Sequence, residues 1–311
     1  KSILYDLGVN TMNIGIIDIG SNTIRLNVYE SNKHSFHLLF SKKENVGLIS
    51  YINKNNLTLE GINKLKQCLL RLKKTLDTLG IHIINAFATA SLRNLDNKDE
   101  VLAIISNTVK INIVLLSGTT EGNLSFKGAM HQIERPEGLY IDSGGASTEF
   151  VFYKHYNNLA TYSLNIGSLN LFNKYVKKVI PTKEETIQIQ KRVQCELESV
   201  PTPKEISEFQ NLAVTGGNMR AVRSLLVHFD WINRDEYIFS ADKINKLLQT
   251  LSNNRTDTLH LFLKIKPERV HTMFCGLLIL EGIISKYSIQ TIQICTNGVR
   301  EGYLIQKYIG D

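Results

Sequence analysis

The 311 residues, 43% hydrophobic and 21% charged, are enough for about two domains with cores of their own and exclude a largely disordered chain. No run reaches the ~18 apolar residues of a membrane span, since the most apolar stretch, FCGLLILEGII (274–284), is broken by Glu281. The net charge of +7 favours anionic partners, but Lys and Arg are dispersed apart from RLKK (71–74) and KYVKK (174–178) and lack interleaved aromatics, so a nucleic-acid partner is not expected.

Residues 1–11 read as an extension ahead of the first strand, without the apolar core or small-residue cleavage site of a signal peptide. NIGIID (13–18) predicts a buried strand, and TIRLNVYE (23–30) alternates into a half-buried one after a tight turn. FHLLFSKKENV (36–46) is a third strand, followed by a helix from Thr58 to Leu79 that Gly80 stops. Then come strand 83–89, helix 98–108, strand 111–117 and a helix near 120–132. This alternation predicts a mostly parallel, helix-covered sheet, and RPEG (135–138) marks a break.

The second half opens the same way, with strands 139–142, 148–153 and 159–165. Thr182 and Glu185 form a capping box ahead of a helix of about four turns. NLAVTGGN (211–218) reads as strand, glycine turn and helix. Pro267 is expected to open a long apolar helix, 291–298 to form a last strand and turn, and 300–309 a final helix. The expected domains are 12–134 and 135–299, with the segment 300–311 packing back on the first. Cys68, Cys195, Cys275 and Cys295 have no metal-site spacing and read as buried free thiols of a reducing cytoplasm.

One pattern occurs twice. In IIDIGSNTIRL (16–26) and YIDSGGASTEF (140–150), Asp18 meets Asp142, Gly20 meets Gly144 and Thr23 meets Ser147, all at an offset of 124 residues, the scale of a duplicated domain. In such a turn glycine reaches positive φ, so that successive backbone N–H groups converge on an anion. Hydroxyls add donors, and the Asp is suited to Mg²⁺, directly or through water. A single turn of this kind is a common hairpin; two in register point to a pair of phosphate-holding loops.

IGIIDIGSNTIRL, ATASLR, LLSGTTEG, YIDSGGASTEF, AVTGGN and NGVREG stand in an order and spacing that resemble the exopolyphosphatase/guanosine pentaphosphate phosphatase (Ppx/GppA) family. That family is part of the superfamily of acetate and sugar kinases, Hsp70 and actin, and the resemblance spans about residues 13–309. It implies an α/β fold of two ribonuclease H-like domains with an active-site cleft between them. The implied reaction is Mg²⁺-assisted hydrolysis of the terminal phosphoanhydride of inorganic polyphosphate, or of the 5′ phosphate of guanosine pentaphosphate. A homodimer is one assembly the resemblance allows.

By motif position, the resemblance makes Gly20, Ser21, Asn22, Thr23 and Arg25 the first phosphate loop, and Gly144, Gly145, Ala146, Ser147 and Thr148 the second. Asp18, Asp142 and Glu149 are the acids expected at the metal. Arg93 of ATASLR is the substrate-binding arginine, and Glu121 of SGTTEG orients or deprotonates the attacking water. The chemistry is coherent in its own right, because phosphoryl transfer needs positioning and neutralisation of charge, and arginine forks suit phosphate oxygens.

The pattern has departures. Thr120 replaces the first of two consecutive acids, and Ala146 replaces a glycine, which strains the turn if that position needs positive φ. Asn218 stands where Thr is common, and His271 where Asp is frequent. As a two-domain short form the chain is expected to act less processively, or on shorter polyphosphate. The competing readings are a superfamily kinase and a non-catalytic polyphosphate or nucleotide sensor, which the loss of the acid at Thr120 favours.

Overall fold

The computed structural model describes residues 11–204 and 210–310, so all but the last residue of the expected N-terminal extension lies outside the described residues. The chain divides into two compact units, Lys1–Ser117 with Tyr303–Asp311, and Gly118–Gly302.

In the first unit β1 (Met12–Ile19), β2 (Thr23–Ser31) and β3 (Phe36–Asn45) follow one another through short turns. A ribbon of β4 (Ile52–Asn53) and β5 (Asn56–Leu57) precedes α1 (Leu59–Thr78), β6 (Ile83–Ala88), α2 (Ala90–Arg93), α3 (Lys98–Val109) and β7 (Ile113–Leu115). The sheet order is β3-β2-β1-β6-β7. Its β1–β6 and β6–β7 pairs are parallel, but β1–β2 and β2–β3 are antiparallel. The expectation of a mostly parallel sheet is therefore corrected to a mixed one. Turns of a few residues cannot return a chain to the start of a parallel neighbour.

The α1 helix shows why this unit holds together. Ile62, Leu65, Cys68, Leu69, Leu72 and Leu76 recur at steps of three and four, so one face is apolar, and all six are buried in the core that includes Ile17, Ile24, Leu26 and Val28 of the sheet. Each fully buried Leu or Ile contributes about 1.5–3 kcal/mol. The Thr58 side chain accepts from Gly61 N at 3.2 Å to cap the helix, and Gly80 at φ 67° lets the chain leave it.

The second unit comprises α4 (Gly118–Ala129), β8 (Glu137–Ser143), β9 (Thr148–Lys154), β10 (Asn157–Leu164), α5 (Ser168–Tyr175), α6 (Lys183–Glu198), β11 (Asn211–Thr215) and α7 (Gly217–His228). It continues through β12 (Ile238–Ser240), α8 (Asp242–Asn253), α9 (Arg255–Ile265), α10 (Met273–Tyr287), β13 (Thr291–Ile294) and α11 (Val299–Leu304). The sheet order β10-β9-β8-β11-β13-β12 repeats the first unit's order strand for strand and adds β12 at the edge. The sequence repeat is thus a repeat of topology.

Helix α10 is apolar almost all round, as a helix buried on every side must be, and packs against α5, α6 and α7. It begins at Met273 rather than Pro267. Pro267–Arg269 forms a 3₁₀ turn in which Arg269 N and Thr272 N bond to Lys266 O and Arg269 O, three residues back. The capping box at Thr182 and Glu185 is formed. Cys68, Cys275 and Cys295 are buried free thiols, whereas Cys195 is exposed, because it faces outward from α6.

Helices α4 and α11 cross at glycines. A Cβ on Gly302 would lie 1.7 Å from Leu124 O, and one on Gly128 would lie 2.1 Å from Gly298 O. Both obstacles are backbone and cannot swing aside. Gly302→Ala is expected to destabilise the fold by about 3 kcal/mol or more, the upper range of overpacking. Urea unfolding of the variant beside the parent checks it.

Candidate active site

In each unit the parallel strands end together: Ile19 is in register with Ala88, and Ala88 with Leu115. In the second unit Asp142 pairs with Thr215, and Val214 with Ile294. The two repeated turns follow β1 and β8 at these ends, where α/β sheets hold ligands.

The turns are built alike. Gly20 N–H donates to Thr23 O at 3.0 Å, and Gly144 N–H donates to Ser147 O at 3.0 Å. In the first turn the Ser21 carbonyl accepts from Ile49 N at 3.1 Å, and the Asn22 carbonyl from Val46 N and Gly47 N at 3.1 and 2.9 Å. In the second, the Gly144 carbonyl accepts from Ser168 N at 3.1 Å and the Gly145 carbonyl from Leu169 N and Asn170 N at 2.8 and 3.1 Å. The Ala146 carbonyl accepts from Asn170 Nδ2 at 2.9 Å.

A trans peptide carries its C=O and the following N–H on opposite sides. Tying these carbonyls to one side therefore turns the N–H groups of Asn22, Gly145, Ala146 and Ser147 to the other. No hydrogen bond among the described residues takes them up. What results is a row of backbone donors held in place from behind.

The structure corrects the reason for the glycines. None of the residues 20–23 or 144–148 lies at positive φ. Glycine serves close approach instead, since a Cβ on Gly20 or Gly144 would stand 3.0 Å from the carbonyl that closes its turn. A Cβ on Gly167 would stand 2.3 Å from the Gly145 carbonyl carbon and oxygen. Ala146 consequently sits in the turn without the strain its Cβ was expected to cause.

Across each hairpin the strand-end Asp faces one residue of β2 or β9. Asp18 pairs with Arg25, and Asp142 with Glu149, the same position 124 residues on. Directly opposed side chains share a face of the sheet. The first pair balances its charge; the second sets two carboxylates together. Glu149 is almost wholly buried and accepts from Ser163 Oγ at 2.9 Å.

Helix α4 covers this acid pair. A Cβ on Gly122 would lie 3.2 Å from Glu149 Cβ, so this glycine lets the helix settle onto the strand. Glu121 is buried in the first turn of α4, where the helix dipole favours a carboxylate, while Thr120, the lost acid, is exposed. One turn on, Ser125 Oγ donates to Asp142 Oδ2 and lies 2.8 Å from the Tyr140 hydroxyl. Burial pushes the Asp142 carboxyl above its ordinary value. The Ser125 hydrogen bond, Arg220 and Arg300 oppose that shift, and Glu301 adds to it.

In the first unit Ser91 of α2 donates to Ile19 O at 2.6 Å, which holds the ATASLR segment against the end of β1. Arg93 is half-buried and donates from Nη1 to Leu116 O at 2.8 Å. The structure thus gathers Asp18, Gly20–Thr23, Arg25 and Arg93 at one sheet end of the first unit. Glu121, Asp142, Gly144–Thr148 and Glu149 gather in the second.

Three cations escaped the sequence reading. Arg220 and Arg300 act on Asp142, and both sat inside or beside quoted motifs, at AVTGGNMR and NGVREG. Arg269 lays its guanidinium over the TGGN turn, where a Cβ on Gly217 would meet its Nη2 at 2.1 Å, and burial lowers its pKa. His271, singled out from sequence, stands edge-on to Phe172 at 5.5 Å, and burial followed by Arg269 lowers its pKa.

A family model described as the Ppx/GppA phosphatase family matches residues 27–309. The chain belongs to the Ppx/GppA phosphatase family. It is 28% identical over 93% of its length to a bifunctional 3-dehydroquinate synthase/phosphatase of Fusobacterium nucleatum, and spans 46% of that protein. It is 25% identical to a putative exopolyphosphatase of Haemophilus influenzae, covering 95% of this chain and 91% of the relative. Its fold matches that of an exopolyphosphatase from Cytophaga hutchinsonii with a TM-score of 0.84 at 22% identity, over 96% of this chain and 99% of the other. The Ppx/GppA fold, with two actin-like domains, is thus the one that the repeated sheet order describes.

Among the described residues no group of three or more His, Cys, Asp or Glu side chains could hold a metal ion by itself. Asp142 and Glu149, opposed in register across the hairpin, nevertheless offer a donor set suited to Mg²⁺, which is bound through one or two carboxylates together with water and substrate phosphates. With no cation present the pair carries a cost. Since the folded pKa of Asp142 is raised above its ordinary 3.8, its contribution to stability is full below about pH 4 and falls as pH rises through the folded value. Asp142→Asn is therefore expected to raise the melting temperature by about 2–4 °C at pH 7 in chelator. The gain should shrink as the pH is lowered toward 4, and thermal scans at both pH values check it.

Proposed function

We propose that this chain is a phosphohydrolase that releases the terminal phosphate of inorganic polyphosphate. The observation that carries the reading is the pair of turns whose carbonyls are tied back and whose Asn22, Gly145, Ala146 and Ser147 N–H groups face outward without partners among the described residues. Such donors suit the equatorial oxygens of phosphoryl groups. Membership of the Ppx/GppA phosphatase family and the likeness to a putative exopolyphosphatase support the choice of substrate.

In this reading Gly20, Ser21, Asn22, Thr23 and Arg25 take phosphate groups on the first unit, with Arg93 as a second guanidinium. Gly144, Gly145, Ala146, Ser147 and Thr148 take them on the second. Asp142 and Glu149 are the acids that would hold Mg²⁺ on the second unit, Asp18 is the corresponding acid of the first, and the ion when bound would neutralise charge on the phosphate oxygens. Glu121 accepts a proton from water as the water oxygen attacks the terminal phosphorus. The bond to the bridging oxygen breaks, and that oxygen leaves with the electron pair as the new end of the shortened chain. The burial of Glu121 in a helix first turn supports a carboxylate held in one place. Four free cysteines suit the reducing cytoplasm as its compartment.

Phosphate release is measured from medium-chain polyphosphate, guanosine pentaphosphate and ATP, with and without Mg²⁺. Metal-dependent release from polyphosphate is expected, and Glu121→Gln should lower it by about 100-fold or more, the scale of a general base. Faster release from guanosine pentaphosphate would make that nucleotide the substrate. Tight polyphosphate binding with no release from any of the three would overturn the hydrolase and leave a sensor.

A further inference from the structure

The second turn is held from behind by a relay of side chains that ends on Asn218. Thr272 Oγ1 donates to Asn218 Oδ1 at 3.0 Å, Asn218 Nδ2 donates to Ser168 Oγ at 2.6 Å, and Ser168 Oγ donates to Gly144 O at 3.2 Å. Thr272, Asn218 and Ser168 are exposed by 3%, 1% and 1%. The relay runs from the residue that precedes α10, through α7 and α5, to the Gly144 carbonyl.

Its direction is set by Asn218, which alone among the three presents an acceptor and a donor on separate atoms. Its carbonyl oxygen occupies the Thr272 proton, and its NH₂ fills the acceptor side of Ser168. The single Ser168 hydroxyl proton is then left for Gly144 O. Gly276 makes room for this, because a Cβ there would stand 2.8 Å from Asn218 Cβ. A threonine at 218 would have one short hydroxyl for both tasks.

We infer that Asn218 is a positioning residue: through Ser168 it fixes the Gly144–Gly145 peptide plane and thereby aims the Gly145 N–H at a bound phosphate. The inference rests on the phosphate-binding reading of the second turn. Asn218 itself touches no phosphate; it directs the Ser168 hydroxyl onto a carbonyl that the Ser168 N–H also holds at 3.1 Å, and so adds the second of two bonds that fix one backbone donor.

Asn218→Asp is the informative change, because it keeps the shape and reverses the relay. A carboxylate accepts at both ends, so Ser168 turns its proton to residue 218 and Gly144 O loses the hydroxyl. Ser168→Ala removes the same bond without adding a charge. Both are expected to raise KM for polyphosphate, and the inhibition constant of inorganic phosphate, by about tenfold, with kcat changed less. The double variant should be no worse than the poorer single one, since both changes break one connection.

Thr272→Val serves as the control. It removes the outer end of the relay, so it is expected to lower the melting temperature while leaving KM within about twofold. If Asn218→Asp and Ser168→Ala lower the melting temperature but leave KM and phosphate inhibition at parent values, Asn218 is core packing only and the inference falls. If the parent protein releases no phosphate, polyphosphate binding by thermal shift replaces KM as the readout, so failure of catalysis and failure of positioning are told apart. A parent that neither hydrolyses nor binds polyphosphate overturns both.

Discussion

The trans peptide is the constraint from which the candidate site follows. A chain that turns sharply at the end of a strand has to place three or four polar peptide groups, and each carries a donor and an acceptor on opposite sides. In both units the acceptors are claimed by a segment that comes later in the chain, residues 46–49 in one and 167–170 in the other. The donors are then left on the open side by geometry. A row of backbone donors made in this way needs no positive φ, which is why Ala146 is tolerated where a glycine was expected.

The duplicated sheet shows how one scaffold is put to two uses. At the same register position, the partner of the strand-end Asp is Arg25 in one unit and Glu149 in the other. The first hairpin therefore presents a balanced pair with a guanidinium suited to phosphate. The second presents an excess of negative charge that calls for a cation. At this one register position the two hairpins carry opposite charge, Arg25 against Glu149. Like charges directly opposed destabilise a sheet, so such a pair is poorly explained by folding alone.

Much of this was legible in the sequence because the informative features are local. The strand–turn–strand pattern, the α1 stripe and the capping box at Thr182 depend on residues within a few positions of each other, and the structure has them where the pattern put them. The direction of the sheet was misjudged because alternation of strands and helices says nothing about the first three strands, which alternate only with turns. The start of α10 was misjudged because Pro267 opens either kind of helix. Here it opens a 3₁₀ turn, and α10 starts only after Thr272, whose side chain is engaged by Asn218, 54 residues away. Arg220, Arg300 and Arg269 were missed for the same reason. Their significance lies in what the fold places beside them; the motifs next to Arg220 and around Arg300 marked the segments but not these side chains.

The acid pair also explains the density of polar side chains under α4. A carboxylate taken out of water stays ionised only if it gains compensation. For Asp142 it comes from the Ser125 hydroxyl, from Arg220 and from Arg300; Glu149 accepts a hydrogen bond from Ser163. Burial nevertheless wins at Asp142, whose pKa stays raised. The compensation is thus incomplete in the protein alone, and the remainder is available to a divalent ion. A fold optimised for stability would have replaced one of the acids. A cation held there would offset the cost of keeping both, and Gly122 gives α4 the room to close over them.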